Sequence, residues 1–288
     1  MEKDVLSVIA NNNIRYSKGQ RLIAKYILEN YDKAAFMTAG KLGATVGVSE
    51  STVVRFAAEL GYDGYPGMRK ALQEMIRNRL TSVQRIEVAK ELIHDSNVLK
   101  AVLTADMEKL QKTVDEIDTA SFDAAVNAII NANHVYIVGM RSSAALSSFM
   151  GYYLNLLREN VHLLNDTAVS EVYEQVIRIG EGDVFIGMSY PRYSSRTVKA
   201  MRFAKKAGAT TISLTDGETS PLIKISDITL FARSDMVSFL DSLVAPLSLI
   251  NALIVSIGLR SEEALSDTFK RLENVWTEND VYENTAED

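Results

Sequence analysis

The segment VFIGMSYPRYSS, residues 184–195, decides how the second half of the chain folds. An apolar run that ends in serines predicts a buried strand followed by the start of a helix. Further apolar runs of strand length, separated by segments of helical spacing, lie at 135–138, 161–164, 210–215 and 227–232. This alternation predicts a five-stranded parallel sheet covered by helices on both faces, with a ligand at the carboxyl ends of its strands.

Two of these strand ends have the composition of an anion site. The sequence GMRSS (139–143) brings two hydroxyls and successive backbone N–H groups to a helix start, and SYPRYSS (189–195) does the same after the third strand. A serine at a helix start is often only an N-cap, but two such ends on strands expected to be neighbours favour a shared site. The candidate effector-binding residues are Arg141, Ser142, Ser143, Ser189, Arg192, Ser194 and Ser195.

The first eighty residues predict a helix-turn-helix. Thr38 and Ser49 are suited to cap two short helices, and Gly47 lies between these helices, where a tight turn requires a left-handed backbone. Gly61 ends the second of the two, and a further helix is predicted from Pro66. Two helices joined by a glycine-centred turn are typical of DNA-binding proteins, although a small helical bundle that binds protein is the alternative.

The candidate DNA contacts lie on and around the second of these helices. Residues 1–80 carry twelve Lys/Arg against eight Asp/Glu, whereas the remainder carries nineteen against twenty-nine, so only the first part favours a polyanion. Two glutamates on the exposed face would repel phosphate, although glutamate can accept from cytosine. The candidates are Lys41, Ser49, Glu50, Ser51, Thr52, Arg55, Arg69 and Lys70.

The remaining segments complete the predicted domain organisation. Residues 1–80 form the all-α helix-turn-helix domain, 81–120 a helical connector, 121–265 the α/β ligand-binding domain, and 266–288 an acidic C-terminal tail. Ser96 and Ser121 are the expected caps of the helices that lead into the α/β domain.

Composition excludes several classes of protein. The chain has no cysteine, which rules out disulfides and thiolate metal sites, and its three histidines show no metal-ligand spacing. We therefore expect no cofactor and no metal. The segment 243–259 is uncharged over seventeen residues, but proline and polar residues within it favour a buried helix over a membrane span. Without a secretory signal, a cytoplasmic location and no membrane partner are expected.

Two resemblances to known families connect these features. Val48-Ser49, Arg55-Phe56 and Leu60-Gly61-Tyr62 resemble the amino-terminal domain of the RpiR family of bacterial transcription regulators. Gly139 with Ser142-Ser143, and Ser220-Pro221-Leu222, resemble the SIS (sugar isomerase) domain, which binds phosphosugars in isomerases and in sensors. Together they imply a full-length RpiR-type regulator.

The segment Ser189–Ser194 occupies the place of the SIS phosphate loop, S-x-S-G-x-T. Ser189 is kept, Ser194 replaces the last hydroxyl, Pro191 replaces the middle serine and Arg192 replaces the glycine. Proline removes a hydroxyl and an N–H, whereas arginine adds a charged planar fork suited to phosphate or carboxylate. We expect an anionic metabolite, a phosphosugar or a sugar acid, with Arg192 replacing part of the cradle.

The sequence thus predicts a DNA-binding regulator of carbohydrate metabolism. Its partners would be a double-stranded operator, a small anionic effector and further copies in a homodimer or homotetramer. The alternative is a phosphosugar isomerase or lyase, with acid–base candidates at Asp166, Glu171, Glu218 and His162, although no motif selects them. A protein-binding adaptor is disfavoured by the basic first domain.

Overall fold

The structure is a computed structural model that describes residues 5–11, 15–76, 81–93, 97–164, 169–234 and 240–282. The chain forms two compact units, one of residues 1–103 with 236–241 and the other of residues 104–235 with 242–288. The segment 81–120, expected to be a connector, is divided between them, because its first helix belongs to the first unit and most of its second helix to the second.

The first unit is helical. Its helices are α1 (Val5–Ile9), α2 (Lys18–Glu29), α3 (Tyr31–Ala34), α4 (Ala39–Val46), α5 (Glu50–Glu59), α6 (Gly64–Ile76) and α7 (Ser82–Ile93). Ser17 and Gln20 form a reciprocal capping box at the start of α2, and the Thr38 hydroxyl accepts from Lys41 N at the start of α4. The side chains of Leu42, Val53 and Phe56 are fully buried, so the apolar spacing read from the sequence faces one core.

The start of α6 and the anchoring of α7 have clear physical causes. α6 begins at Gly64 rather than Pro66, because Gly64 takes a φ of 65° that lets the chain turn into the helix two residues early. α7 is tied to a distant segment by Arg85, whose Nη1 donates to both carboxylate oxygens of Asp241 at 3.0 Å. Arg85 is buried, so this ion pair is part of the interior of the unit.

The second unit contains the predicted five-stranded parallel sheet. Its strands are β1 (Val135–Gly139), β2 (Val161–Leu164), β3 (Val184–Met188), β4 (Thr210–Thr215) and β5 (Ile228–Phe231), in the order β2-β1-β3-β4-β5. β1 and β3 are entirely buried, as expected for central strands of a sheet covered on both faces. Gly139 pairs with Met188, so the loops that follow these two strands leave the same edge of the sheet.

Helices cover both faces of the sheet. The helices of this part of the chain are α8 (Val98–Glu116), α9 (Thr119–Asn131), α10 (Ser143–Leu157), α11 (Val169–Gln175), α12 (Ser195–Lys206), α13 (Val244–Arg260) and α14 (Glu262–Glu278). One face packs against α9, α10 and α13, and the opposite face packs against α11 and α12. The sequence prediction of a covered parallel sheet is confirmed.

The start of α9 differs from the sequence prediction, and the predicted cap of α8 lies outside the described residues. α9 begins at Thr119, two residues before Ser121, because the Asp118 carboxylate accepts from the backbone N–H groups of Ala120 and Ser121. Two acceptor oxygens on one side chain satisfy two free N–H groups, which makes Asp118 the stronger cap. Ser96, the expected cap of α8, lies outside the described residues; the Asn97 side chain accepts from Lys100 N there.

The long uncharged segment 243–259 forms most of α13. The buried side chains of this helix include Leu249, Ile250 and Leu253, which pack in the core beneath the sheet. No helix in the described ranges is long and apolar enough to cross a bilayer. The segment 266–288, expected to be an acidic tail, begins inside α14, which contacts α10 and α13.

Candidate functional sites

The turn between α4 and α5 has the close geometry that a helix-turn-helix needs. Gly47 takes a φ of 75°, and Val48 N donates to Gly43 O at 2.9 Å. A Cβ on Gly43 would lie only 2.8 Å from the carbonyl oxygen of Val48. Both glycines are therefore required by the backbone, one for its conformation and the other for the close approach of the two helices.

The amino-terminal end of α5 presents a cluster of hydroxyls. Ser49 occupies the N-cap position, but its hydroxyl lies 2.9 Å from that of Ser51 and 2.8 Å from that of Thr52 instead of accepting from a backbone N–H. Ser49 thus occupies the predicted N-cap position, but its side chain does not make the hydrogen bond to a backbone N–H that a capping serine usually makes. Ser49 and Ser51 are exposed, so the cluster is available to a ligand.

The two glutamates of α5 are directed toward neighbouring helices. The Glu50 carboxylate lies against α4, where a Cβ on Gly40 would be 3.3 Å from its Oε2. Glu59 Oε2 accepts from Gln20 Nε2 at 2.7 Å, which ties the end of α5 to the start of α2. Glu50, a predicted base contact, is exposed at the start of α5 with its carboxylate beside α4.

The predicted basic contacts lie on three helices. Arg55 is exposed on α5, where its Nε donates to Ser51 O at 3.3 Å, and Lys41 is exposed on α4. Lys70 is exposed on α6, whereas Arg69 is half-buried close to Tyr65. A groove of 480 Å³ runs beside α5 and is lined by Ser17, Gly19, Gln20, Val48, Ser49, Thr52, Arg55 and Glu59. The structure brings Ser49, Ser51, Thr52 and Arg55 together.

The first strand-end loop is a tight turn after β1. A Cβ on Gly139 would lie 2.3 Å from Ser143 O, so only glycine lets α10 start so close to the strand. Arg141 takes a φ of 60°, which is unfavourable for a residue with a side chain. Arg141 and Ser142 are exposed, whereas Ser143 is buried. Two of the three predicted effector residues of this loop are therefore accessible.

The second loop, after β3, is held by internal hydrogen bonds. Ser189 is buried and its hydroxyl accepts from Ser194 N at 2.9 Å, while the Ser194 hydroxyl accepts from Thr197 N at 3.4 Å. The Pro191–Arg192 peptide bond is cis, and Arg192 is exposed. Both hydroxyls thus already shape the loop, so the exposed Arg192 and Ser195 are its accessible polar side chains among the predicted residues.

A buried carboxylate at the end of β4 was not among the predicted site residues. Asp216 is 1% exposed and accepts from the Tyr193 hydroxyl at 2.8 Å. The Thr215 hydroxyl lies 2.8 Å from Ser189 O and 3.2 Å from Asp216 Oδ1, so the ends of β3 and β4 are joined. The available signal was position alone, because Asp216 directly follows a parallel strand.

Two further hydroxyls in this region are buried. Within the described residues, neither the Tyr190 hydroxyl nor the Thr197 hydroxyl has a hydrogen-bond partner. Burial raises the pKa of Tyr190 well above its ordinary value, and the nearby charge of Asp216 adds to the effect. Beside the loop, a pocket of 160 Å³ between α11 and α12 is lined by Val172, Tyr173, Ser195, Arg196, Lys199 and Ala200. Both cationic side chains of this pocket favour an anionic occupant.

The candidate acid–base residues are not assembled into one site. Glu171 is exposed on α11 and Glu218 is exposed after β4, whereas Asp166 lies outside the described residues. His162 lies near the amino end of β2 and contacts His134, at the opposite end of the sheet from the loops. The arrangement therefore provides no positioned acid–base pair among the described candidates.

Known protein families match the sequences of both units. Residues 3–79 match the helix-turn-helix domain of the rpiR family, and residues 128–256 match the SIS domain. An HTH-type transcriptional regulator of Caldanaerobacter subterraneus subsp. tengcongensis, itself uncharacterised, is 26% identical over 278 residues, covering 94% of this chain and 95% of that protein.

Two solved structures share the fold. The sugar isomerase domain of an RpiR transcription factor from Sphaerobacter thermophilus is 32% identical, with a TM-score of 0.59, and the match covers 62% of this chain and 98% of that one. The NanR protein of Vibrio vulnificus, in complex with ManNAc-6P, is 24% identical, with a TM-score of 0.60, over 97% of this chain and 100% of that one.

A helix-turn-helix unit joined to a five-stranded parallel SIS domain defines a DNA-binding transcriptional regulator. The chain belongs to the RpiR family of these regulators.

Proposed function

We propose that this regulator binds its operator through α5 and senses a small anionic metabolite, a phosphosugar or sugar acid, at the loops after β1 and β3. The observation that carries the proposal is the exposure of an arginine on each of these two loops, Arg141 and Arg192, which leave adjacent strands at the same edge of the sheet. The order in which strands are added to the sheet reverses between β1 and β3, and open parallel sheets usually bind ligands at such a point.

The nature of the ligand follows from the donors that this edge offers. Guanidinium groups pair with the planar oxygens of phosphate or carboxylate through two parallel hydrogen bonds. The hydroxyl of the half-buried Tyr193, which donates to Asp216, adds a group that suits the hydroxyls of a sugar. The NanR structure contains a sugar phosphate, ManNAc-6P, which supports this class of ligand for a protein of the same fold.

On the DNA side, the Ser49, Ser51 and Thr52 hydroxyls and Arg55 are the proposed contacts of α5, with Lys41, Arg69 and Lys70 as phosphate contacts. Recognition helices normally read two half-sites about one helical turn apart, so a homodimer or homotetramer follows. A regulator of this kind works in the cytoplasm, where it meets the chromosome, and has no catalytic step of its own.

The test is binding to DNA from upstream of the gene that encodes this chain. Binding is measured at two salt concentrations, with and without a panel of sugar phosphates and sugar acids. We expect specific, salt-sensitive binding that one compound changes by about 5–150-fold. Arg192→Ala should lower the affinity for that compound by at least about tenfold, because charged hydrogen bonds contribute about 1.5–3 kcal/mol.

Arg202→Ala is the matched control, since Arg202 is an exposed arginine further along α12. If Arg192→Ala leaves the affinity within about twofold of the parent, the anion site lies elsewhere. Turnover of any compound of the panel, together with an absence of DNA binding, would instead support the isomerase or lyase.

A further inference from the structure

Two of the three histidines, which are far apart in the sequence, meet at the amino end of the sheet. His134 precedes β1 and His162 lies on β2, and Nδ1 of His134 is 3.1 Å from Nε2 of His162. We propose that these two nitrogens form a binding site for a divalent transition-metal ion of the zinc type.

The separation of the nitrogens suits one ion between them. Nitrogens bound at about 2.0–2.1 Å are about 3.3 Å apart in tetrahedral geometry and about 2.9 Å apart when the bonds are perpendicular. The observed 3.1 Å lies between these values. An N–H···N hydrogen bond between the two rings also has this length. When an ion binds, the ring that donated this hydrogen bond keeps its proton on its other nitrogen, which frees the first nitrogen for the ion.

Neighbouring groups hold the His162 ring in place. The His162 ring stacks on that of Tyr136 with centroids 4.7 Å apart, and Tyr136 is itself buried in the sheet. The backbones of Tyr136 and His162 are partners in the ladder between β1 and β2. Because β2 and the stacked Tyr136 ring fix the His162 side chain, little of its conformational entropy is lost when it binds an ion.

The electrostatic surroundings also suit a cation. The Asp183 carboxylate lies close enough to act on His162 and accepts from Gly180 N at 2.9 Å. His134 is half-buried and His162 exposed, so water can reach an ion here.

The site has two protein ligands. Within the described part of the chain no cluster of three or more histidine, aspartate or glutamate side chains suitable for a metal is found. Water therefore completes the coordination, which distinguishes this site from a closed structural zinc site with four protein ligands. Imidazole nitrogens favour zinc, copper and nickel over magnesium or calcium.

The test is a Zn²⁺ titration of the full-length, chelator-treated protein, followed by NMR of the histidine ring protons. The chain has three histidines, His94, His134 and His162, so each can be assigned from single variants. We expect the signals of His134 and His162 to shift together and to saturate at one ion per chain, while that of His94 stays unchanged. The melting temperature should rise with Zn²⁺.

His162→Phe is the decisive variant, because phenylalanine keeps an aromatic ring on Tyr136 but cannot bind an ion. It should lower Zn²⁺ affinity at least about tenfold, since the second nitrogen binds intramolecularly at high effective concentration. His94→Phe is the matched control and should bind as the parent does. Unchanged affinity in folded His162→Phe, equal shifts of all three histidines, or no saturable binding would each overturn the proposal.

Discussion

Arg141 adopts a backbone conformation that favours glycine, and it does so at the edge of the sheet where we propose that an anion binds. A left-handed conformation costs a residue with a side chain about 1 kcal/mol, and such strain is often found at functional positions. Arg141 therefore combines an unfavourable backbone with a side chain suited to the ligand.

Substitution of Arg141 separates these two effects. We expect Arg141→Gly to be more stable than Arg141→Ala by about 1 kcal/mol, because only glycine relieves the strain. Both variants should lose affinity for the anionic effector by about tenfold or more, since both lack the guanidinium group. Denaturant unfolding and effector titration measure the two quantities. Equal stability of the two variants would show that the turn is not strained.

Tyr65 makes the stability of the first unit fall as the pH becomes alkaline. Its hydroxyl donates to Ala34 O and Met37 O at 3.3 and 3.1 Å, and burial raises its pKa to about 12. The neutral form is thus favoured in the folded state. Its contribution is complete below the pKa of an unfolded tyrosine, about 10, and is lost as the pH rises from there toward 12.

Tyr65→Phe tests this pH dependence. At neutral pH the variant should be less stable by about 1–3 kcal/mol, because the hydroxyl and its hydrogen bonds are lost from a buried position. The difference between parent and variant should shrink between about pH 10 and 12, as the unfolded parent ionises. Thermal unfolding across this range measures it, and a constant difference would contradict the assignment.

At the residue scale, sequence reasoning identified the accessible arginines of the candidate site but not its buried partners. Arg141 and Arg192 lie just after two strands, and the apolar runs in the sequence predict where those strands end. Asp216 and Tyr193 contact each other across two loops, and the pair of His134 and His162 joins residues 28 positions apart. Such contacts depend on which strands are neighbours, and the strand order is not contained in local periodicity.

At the scale of elements, the last turn of α5 is tied to another helix of its unit. Gln20 is nearly buried, its Oε1 accepts from Ser17 N at 2.8 Å, and its Nε2 donates to Glu59. One side chain therefore completes the cap of α2 and fixes the end of α5. This arrangement links the angle of the recognition helix to the start of α2.

The contribution of this link can be measured by a double-mutant cycle. Gln20→Ala should destabilise the protein by about 1–3 kcal/mol, because it breaks a charge-assisted hydrogen bond and half of a capping box. Glu59→Ala should cost less, and the two losses should be non-additive by at least about 0.5 kcal/mol. Denaturant unfolding of the parent, both single variants and the double variant provides the values. Additive losses would mean that the contact contributes no stability.

Most elements were predictable because their signals are local. All five strands lie within one residue of the predicted ranges, since each is a short apolar run between polar residues. The exact starts of α6 and α9 were not predictable, because a positive φ at Gly64 and a two-oxygen cap at Asp118 decide them. In each case the residue that decides the start lies within three positions of the expected one, Gly64 beside Pro66 and Asp118 beside Ser121, so local patterns do not choose between them.

At the scale of the whole molecule, positive charge is concentrated in the part that carries the helix-turn-helix. Residues 1–80 have twelve basic and eight acidic side chains, although the chain as a whole has a net charge of −6. The negative second part is expected to avoid the DNA backbone, so that few contacts outside the first unit contribute to affinity.

Arg55→Ala should therefore weaken operator binding and make it less sensitive to salt. Loss of one phosphate contact lowers the slope of log K against log salt by about 0.9. If Arg55 reads a base instead, the affinity falls for the operator but the slope is unchanged. Arg202→Ala, an exposed arginine of the second unit, is the control and should change neither quantity. An unchanged affinity and slope for Arg55→Ala would exclude it from the interface.

The ion pair between Arg85 and Asp241 has a consequence for synthesis on the ribosome. The two residues are 156 positions apart, and Asp241 belongs to the first unit although it is translated after every strand of the sheet. At about 5–20 residues per second, Asp241 is added roughly 8–30 s after Arg85. During synthesis, the first unit therefore lacks the Arg85–Asp241 ion pair until Asp241 has been added. A gene fragment that stops at residue 103 encodes this unit without Asp241.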